Sequence, residues 1–307
     1  MHDTAYKIGE AFLTAYGSLS SPQIVVEIGS YDVNGSLRTC ALATMIYLGL
    51  DMSPGPSVDI VVDPTEPLPL RNDFADIVLS SSQMEHDPFF WNTFAEMARI
   101  TKPGGVIYTS APSNGSYHRY PSDHWRFYPD CAHALVAWAT KVGYPIELVE
   151  SFTASRIGDM WNDFVAIYRK PPWPLEPIAF LSEKFPCRNV WRSGLTEVVE
   201  EDNCTEDMSI IRDRADEIAQ LRAEFTAVQE ANLCSKATTF ADKVELEALK
   251  LALVKAKVKI DELERELATG RKQGPNLPNT AATSTAQAPA FDEFTSYKVV
   301  VLRKKLS

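Results

Sequence analysis

The sequence predicts an α/β fold built on a mostly parallel sheet and followed by one long helix of coiled-coil character. Three observations predict it. From residue 1 to about 170, short β-branched apolar runs alternate with helical patterns, as in successive βαβ units. Two strand patterns joined by a short loop close that region, which pairs them antiparallel. Beyond them, a charged stretch rich in Ala and Leu keeps one apolar heptad register.

In chain order, residues 24–26 read as a buried strand and 38–47 as the helix after it. Further strands are expected at 46–50, 60–62 and 76–79. A helix at 89–100 is ended by Pro103-Gly104-Gly105, and a strand follows at 106–109. A helix at 132–142 is stopped by Gly143, and the closing strands fall at 146–151 and 164–168. The domain is therefore drawn as 1–170. A Pro-rich connecting segment at 171–206 packs on it and leads out of it. The coiled coil spans 207–268. Residues 269–290, rich in Thr, Ala, Pro and Asn, read as a disordered linker, and 291–307 as an apolar and basic tail.

With Ile211 at position a, one register runs to Leu267 through Ile218, Leu221, Phe225, Val228, Leu246, Leu249, Leu253, Ile260 and Leu263. Arg214 is a charged d site, and the weak sites Asn232, Ser235, Thr239 and Asp242 cluster together. Two arrangements bury this stripe. One is a hairpin turning between Asn232 and Asp242. The other is a continuous rod of roughly 85 Å that self-associates through 211–267. The shared register favours the rod, and Asn232 at an a site favours a dimer over a trimer.

The 307-residue chain is 45% hydrophobic, enough for a buried core. Its formal net charge of −11 excludes the basic surface needed to grip nucleic acid without sequence preference. No apolar run reaches the ~18 residues of a membrane span, and the start lacks a signal-peptide pattern, so a cytoplasmic location is expected. The five cysteines are scattered without a C-x-x-C pair and read as reduced thiols. His86, His118 and His124 lack a ligand spacing, so no metal is expected.

The first strand runs into Glu27-Ile28-Gly29-Ser30-Tyr31-Asp32-Val33-Asn34-Gly35. A strand entering a glycine-containing loop is a general nucleotide site, because glycine permits close backbone approach and the following helix start offers free amides. The wide Gly29-to-Gly35 spacing departs from G-x-G-x-x-G and disfavours a nicotinamide oxidoreductase. Asp51 closes the second strand, where a carboxylate can take both ribose hydroxyls. Asp63 closes the third and can accept from an adenine amino group. Ser80-Ser81-Ser82 ends the fourth at the same sheet edge. Singly, each is also an ordinary strand-end cap.

Four blocks carry a resemblance: Val25-Val26-Glu27-Ile28-Gly29, Gly49-Leu50-Asp51-Met52, Asn72-Asp73-Phe74-Ala75-Asp76-Ile77-Val78 and Thr101-Lys102-Pro103-Gly104-Gly105. They resemble the signature blocks of class I S-adenosylmethionine-dependent methyltransferases. The similarity is greatest to a bacterial, methyltransferase-11-like subgroup that carries Met84-Glu85-His86-Asp87-Pro88 and a block from His118 to Phe127. The resemblance implies a doubly wound, Rossmann-like seven-stranded sheet with an antiparallel last strand, and S-adenosylmethionine as cofactor. It implies that Glu27, Gly29, Ser30, Tyr31 and the loop to Gly35 hold the methionine part. Asp51 and Met52 would meet the ribose and Asp63 the adenine, with Ser81 at the same edge. Tyr31 stands where a second loop glycine is usual.

The segment from Tyr117 to Phe127 follows the fifth strand and should lie over the cofactor's methyl end. His118 is the expected base, with Asp123 orienting it or acting itself. Arg119 and Arg126 suit an anionic or polyhydroxylated acceptor, and Trp125 offers a face to a sugar ring. The alternative is that Arg126 pairs with Asp123 to fix a lid loop and Trp125 is core. The expected function is methyl transfer to a small-molecule or glycan acceptor, such as a surface-polysaccharide hydroxyl, by a coil-linked oligomer. A protein partner can dock at the coil or the tail. The competing reading is a non-catalytic scaffold with a degenerate domain, for which Tyr31 counts and against which Glu27 and Asp51 count.

Overall fold

Strands buried on both faces read as near-continuous apolar runs, and those runs form the centre of the domain. In the computed structural model, the described residues are 2–172, 180–234 and 240–270. The segments 173–179, 235–239 and 271–307 lie outside them, and with them nearly all of the expected linker and the whole tail.

The strands are β1 (Gln23–Ile28), β2 (Met45–Asp51), β3 (Ile60–Val61), β4 (Ala75–Ser81), β5 (Thr101–Pro112), β6 (Glu147–Ala154), β7 (Asp163–Arg169) and β8 (Cys187–Arg192). Their order is β3-β2-β1-β4-β5-β7-β6-β8. β1 to β5 are parallel, and β7 inserts antiparallel between β5 and β6, so the two closing strands pair as expected. The sheet has eight strands rather than seven. β8 comes from the Pro-rich stretch and pairs antiparallel with β6, because Leu181 and Val190 bury their side chains in the core.

The sheet is covered on both faces. On one, α1 (Asp3–Tyr16) sets Ile8, Phe12 and Leu13 on Val25, Ile77, Leu79 and Tyr108. The helical spacing of those residues is the signal for α1, which the sequence reading left out. On the other face, α2 (Phe90–Ile100) and α3 (Cys131–Lys141) pack Phe94, Met97 and Leu135 with Val26, Val78, Ile107 and Tyr168. The helix expected at 38–47 does not form. A short 3₁₀ turn, Leu37–Cys40, is capped by Ser36, and the chain enters β2 at Met45. Thr39, Cys40 and Thr44 are weak helix formers, and pairing with β1 claims the residues from Met45 on.

The continuous rod is also corrected. The stretch forms two helices, α4 (Glu206–Cys234) and α5 (Phe240–Gly270), which pack on each other. Arg222 Nη2 lies 3.9 Å from Glu264 Oε1, whereas one unbroken helix would hold these residues about 60 Å apart. The chain therefore doubles back. The a/d stripe itself is the less exposed side of both helices: Ile218, Leu221, Phe225 and Val228 on α4, then Leu249, Leu253, Ile260 and fully buried Leu263 on α5. The stripe was legible, but its partner is the same chain. The apolar thirds then meet without the entropy cost of association.

Candidate active site

The parallel order brings the carboxyl ends of β1, β2, β4 and β5 to one edge, at the switch between β1 and β4. β7 begins at the same edge, where Asp163 pairs with Pro112.

The loop after β1 is tightly tied. Gly29 sits at φ +81° and donates its amide to the Leu50 carbonyl at 2.9 Å. A Cβ there would stand 2.5 Å from Gln83 Cβ, so only glycine fits. Ser30 is buried and its Oγ has no partner among the described residues. The Tyr31 amide donates to Asp51 Oδ2 and the Ser53 amide to Asp51 Oδ1, both at 3.1 Å. Each carboxylate oxygen keeps a further lone pair for a ligand hydroxyl. Gly35, at φ +114°, donates to Asp32 Oδ1 at 2.8 Å and closes the loop. The Tyr31 ring turns aside onto Gly55, which has no room for a side chain. Met52 is exposed beside Asp51.

Glu27 is buried on the α1 face, where Tyr47 Oη donates to it at 2.8 Å, and burial pushes its carboxyl up to about 7. Ser81 is buried with its Oγ unpartnered among the described residues. Asp63 is exposed and takes the Thr65 hydroxyl at 2.6 Å and amide at 2.8 Å, bonds that hold its carboxyl below the ordinary range. Among the described contacts it is a turn cap.

Over the β4 and β5 ends, the 3₁₀ turn Met84–His86 meets the segment from Tyr117 to Phe127. The His118 amide donates to Asp123 Oδ2 at 2.8 Å, and His118 Nδ1 lies 3.5 Å from the same oxygen. Arg126 clamps Asp123 at 2.6 and 2.9 Å. Burial alone would raise the Asp123 acid, but Arg126 and the His118 amide hold it below its ordinary value. Asp123 therefore faces both His118 and Arg126. The Arg126 guanidinium also donates to the Trp125 and Ser116 carbonyls, which commits it to the loop rather than to an acceptor. Arg119 is exposed and makes no ion pair among the described residues. Trp125 is 38% exposed, with Nε1 donating to the Asp87 carbonyl at 3.0 Å and its ring edge-on to Phe90 and Trp91. It is thus a braced surface ring, not core.

Four residues at this edge escaped the sequence reading. Glu85 is 1% exposed, and burial pushes its carboxyl up to about 8. Asp163 is fully buried and raised for the same reason, with His2 Nε2 at 3.4 Å. Burial lowers His2 to about 3. Trp161 stacks on His2 and stands edge-on to His118, at ring distances of 5.3 and 5.0 Å. Only Glu85 had a sequence signal, inside its Met-Glu-His-Asp-Pro block.

Residues 32–109 match the family model described as a methyltransferase domain. An uncharacterized methyltransferase of Mycobacterium leprae is 32% identical over 122 residues, 35% of this chain and 44% of the relative. One of Mycobacterium bovis is 30% identical over 160 residues, 47% and 60%. The chain thus spans about half the length of the curated relatives it matches. Among solved structures, Burkholderia thailandensis 1,6-didemethyltoxoflavin-N1-methyltransferase superposes with a TM-score of 0.44 and 16% identity, over 54% of this chain and 78% of that one. The matched segment holds the β1 loop from Asp32 to Gly35, Asp51 and the end of β4, and it is similar to a methyltransferase domain.

Proposed function

We propose that this chain transfers the methyl group of S-adenosylmethionine to an oxygen of a polar, polyhydroxylated acceptor, of the kind presented by a surface polysaccharide. The observation that carries the reading is the Asp51 carboxylate at the sheet's switch point, pinning the Gly29 loop through the Tyr31 amide while keeping lone pairs for ribose hydroxyls. Glu27, Gly29, Ser30, Tyr31 and Gly35 form the cradle for the methionine part, Met52 and Asp63 flank the nucleoside, and Ser81 lies at the methyl end.

Methyl transfer from a sulfonium is an in-line displacement. The acceptor oxygen's lone pair forms the new O–C bond as the C–S bond breaks and its electrons return to sulfur. Alignment supplies most of the rate, up to ~7–11 kcal/mol in favourable cases. The hydroxyl proton passes to His118, held by Asp123. Arg119 and the exposed faces of Trp125 and Tyr117 suit a sugar ring and its charged substituents. The competing reading is a scaffold that binds no cofactor. Titrating the full chain with S-adenosylmethionine and with NAD decides between them: binding of the first alone is expected, and binding of neither would establish the scaffold. His118→Ala and Arg119→Ala are then expected to keep cofactor affinity and lose turnover. Loss of cofactor binding in a folded variant would assign the segment to the cofactor instead.

A further inference from the structure

Glu85, His86 and His118 come together although no spacing in the sequence joins them. Each offers one ligand atom, and these atoms lie within 4.8 Å of one another. Their second contacts decide which atoms face inward. His86 Nδ1 is bonded to the Ser122 carbonyl, which leaves Nε2, 3.6 Å from Glu85 Oε1. His118 Nδ1 faces the Ser116 carbonyl at 3.3 Å and Asp123 Oδ2 at 3.5 Å, which leaves its Nε2. The two rings stand edge-to-face with centroids 4.9 Å apart. An imidazole whose outer nitrogen is fixed by a carbonyl or carboxylate is the arrangement that metal-binding histidines adopt. Glu85 supplies an independent observation. It is 1% exposed, its Oε2 has no hydrogen-bond partner among the described residues, and its main-chain oxygen is fixed by the His124 and Trp125 amides. A buried carboxylate without a donor is costly unless a cation meets it. The nearby Asp163 side chain is fully buried too.

We propose that Glu85, His86 and His118 hold a divalent transition-metal cation of the Zn²⁺, Co²⁺ or Mn²⁺ class, through one carboxylate oxygen and two imidazole Nε2 atoms. Such donors lie ~2.0–2.2 Å from the ion, so side-chain rotations of under about 1 Å close the set. Two nitrogens and one oxygen leave coordination positions open, which suits an acceptor presenting adjacent oxygens. The proposal rests on the methyl-transfer reading for that acceptor and changes one role. With the cation bound, His118 is a ligand, and the acceptor hydroxyl, made acidic on the ion, loses its proton to solvent.

The test is titration of the metal-stripped full chain with Co²⁺, followed by visible absorption and calorimetry. One equivalent is expected to bind in wild type, with binding lost in Glu85→Gln and His118→Ala. Asp123→Asn, which alters only the outer support, is expected to weaken it ~10–100-fold. No stoichiometric binding to wild type, or equal binding to all variants, would overturn the site. Cofactor titration of the same samples separates the two readings. S-adenosylmethionine bound without Co²⁺ overturns only the cation site. Co²⁺ bound without S-adenosylmethionine supports the site and overturns only the transfer reading.

Discussion

Glu27 gives the most direct test of how the cofactor edge is built. Its carboxyl is 2% exposed, and burial moves its ionisation from an ordinary 4.5 to about 7, against the partial relief of the Tyr47 hydrogen bond and the Arg38 charge. The sign follows from linkage. Below pH 4.5 the group is protonated in both folded and unfolded chains and contributes no pH dependence. Between 4.5 and about 7 the unfolded chain releases the proton while the folded chain keeps it, so stability falls as pH rises. At ~1.4 kcal/mol per pH unit, the loss reaches about 3 kcal/mol above neutrality. Glu27→Gln keeps an acceptor for Tyr47 and removes the titration. Urea unfolding of both proteins from pH 4 to 8 is therefore expected to show similar stabilities at the acid end and a more stable variant at the alkaline end. A gap independent of pH, or a variant weaker at pH 8, would refute the reasoning.

Asp51→Ala is expected to weaken S-adenosylmethionine binding by ~1.5–3 kcal/mol, the scale of hydrogen bonds to a charged group, and calorimetry showing equal affinity would remove the ribose assignment. Gly115→Ala places a Cβ 1.9 Å from the Trp161 ring at a φ of +98°. A cost of about 1–3 kcal/mol in chemical denaturation is expected, with displacement of Trp161 from His118; an unchanged midpoint would contradict it. Spin labels at positions 222 and 264 are expected to report a short distance within one chain, diluted or not with unlabelled protein. A separation near 60 Å would restore the rod.

The sheet was legible because its strands are short apolar runs ended by polar residues, and Asp51, Ser81 and Gly29 fall at strand ends for that reason. Other parts were illegible for identifiable causes. An a/d stripe states that a helix buries one side, not whether the covering helix belongs to the same chain, so α4 and α5 read as a rod. The 38–47 segment carries apolar residues at both periods, and only pairing of β2 with β1 settles it. β8 was hidden by the prolines before it. Glu85 looked like any loop glutamate, since burial comes from the fold around it. Arg126 looked like an anion ligand because the sequence does not show that Asp123 folds back onto it.

The hairpin is not an independent appendage of the α/β domain. The first turn of α4 carries Glu206 and Asp207, where the helix's free amides favour negative charge. Both side chains reach into the domain. Glu206 accepts from the Arg156 amide at 3.1 Å and from Asn162 Nδ2, and Asp207 accepts from Asn114 Nδ2 at 2.6 Å and from the Arg156 guanidinium. Asn114 begins the loop that leads from β5 to His118, and Asn162 directly precedes Asp163 on β7. Asn114 Oδ1 also takes the Asn162 amide at 2.7 Å, so one network ties the loops after β5 and before β7 to the start of the helix. A rigid position for His118 requires that Ser116, Asp123 and Trp161 stay fixed, and Trp161 is held between Asn162 and Met160, whose carbonyl accepts from Asn114. The start of α4 therefore braces the loop that carries His118 and Asp123, a role that the helices' sequence alone, read as a self-associating rod, did not suggest.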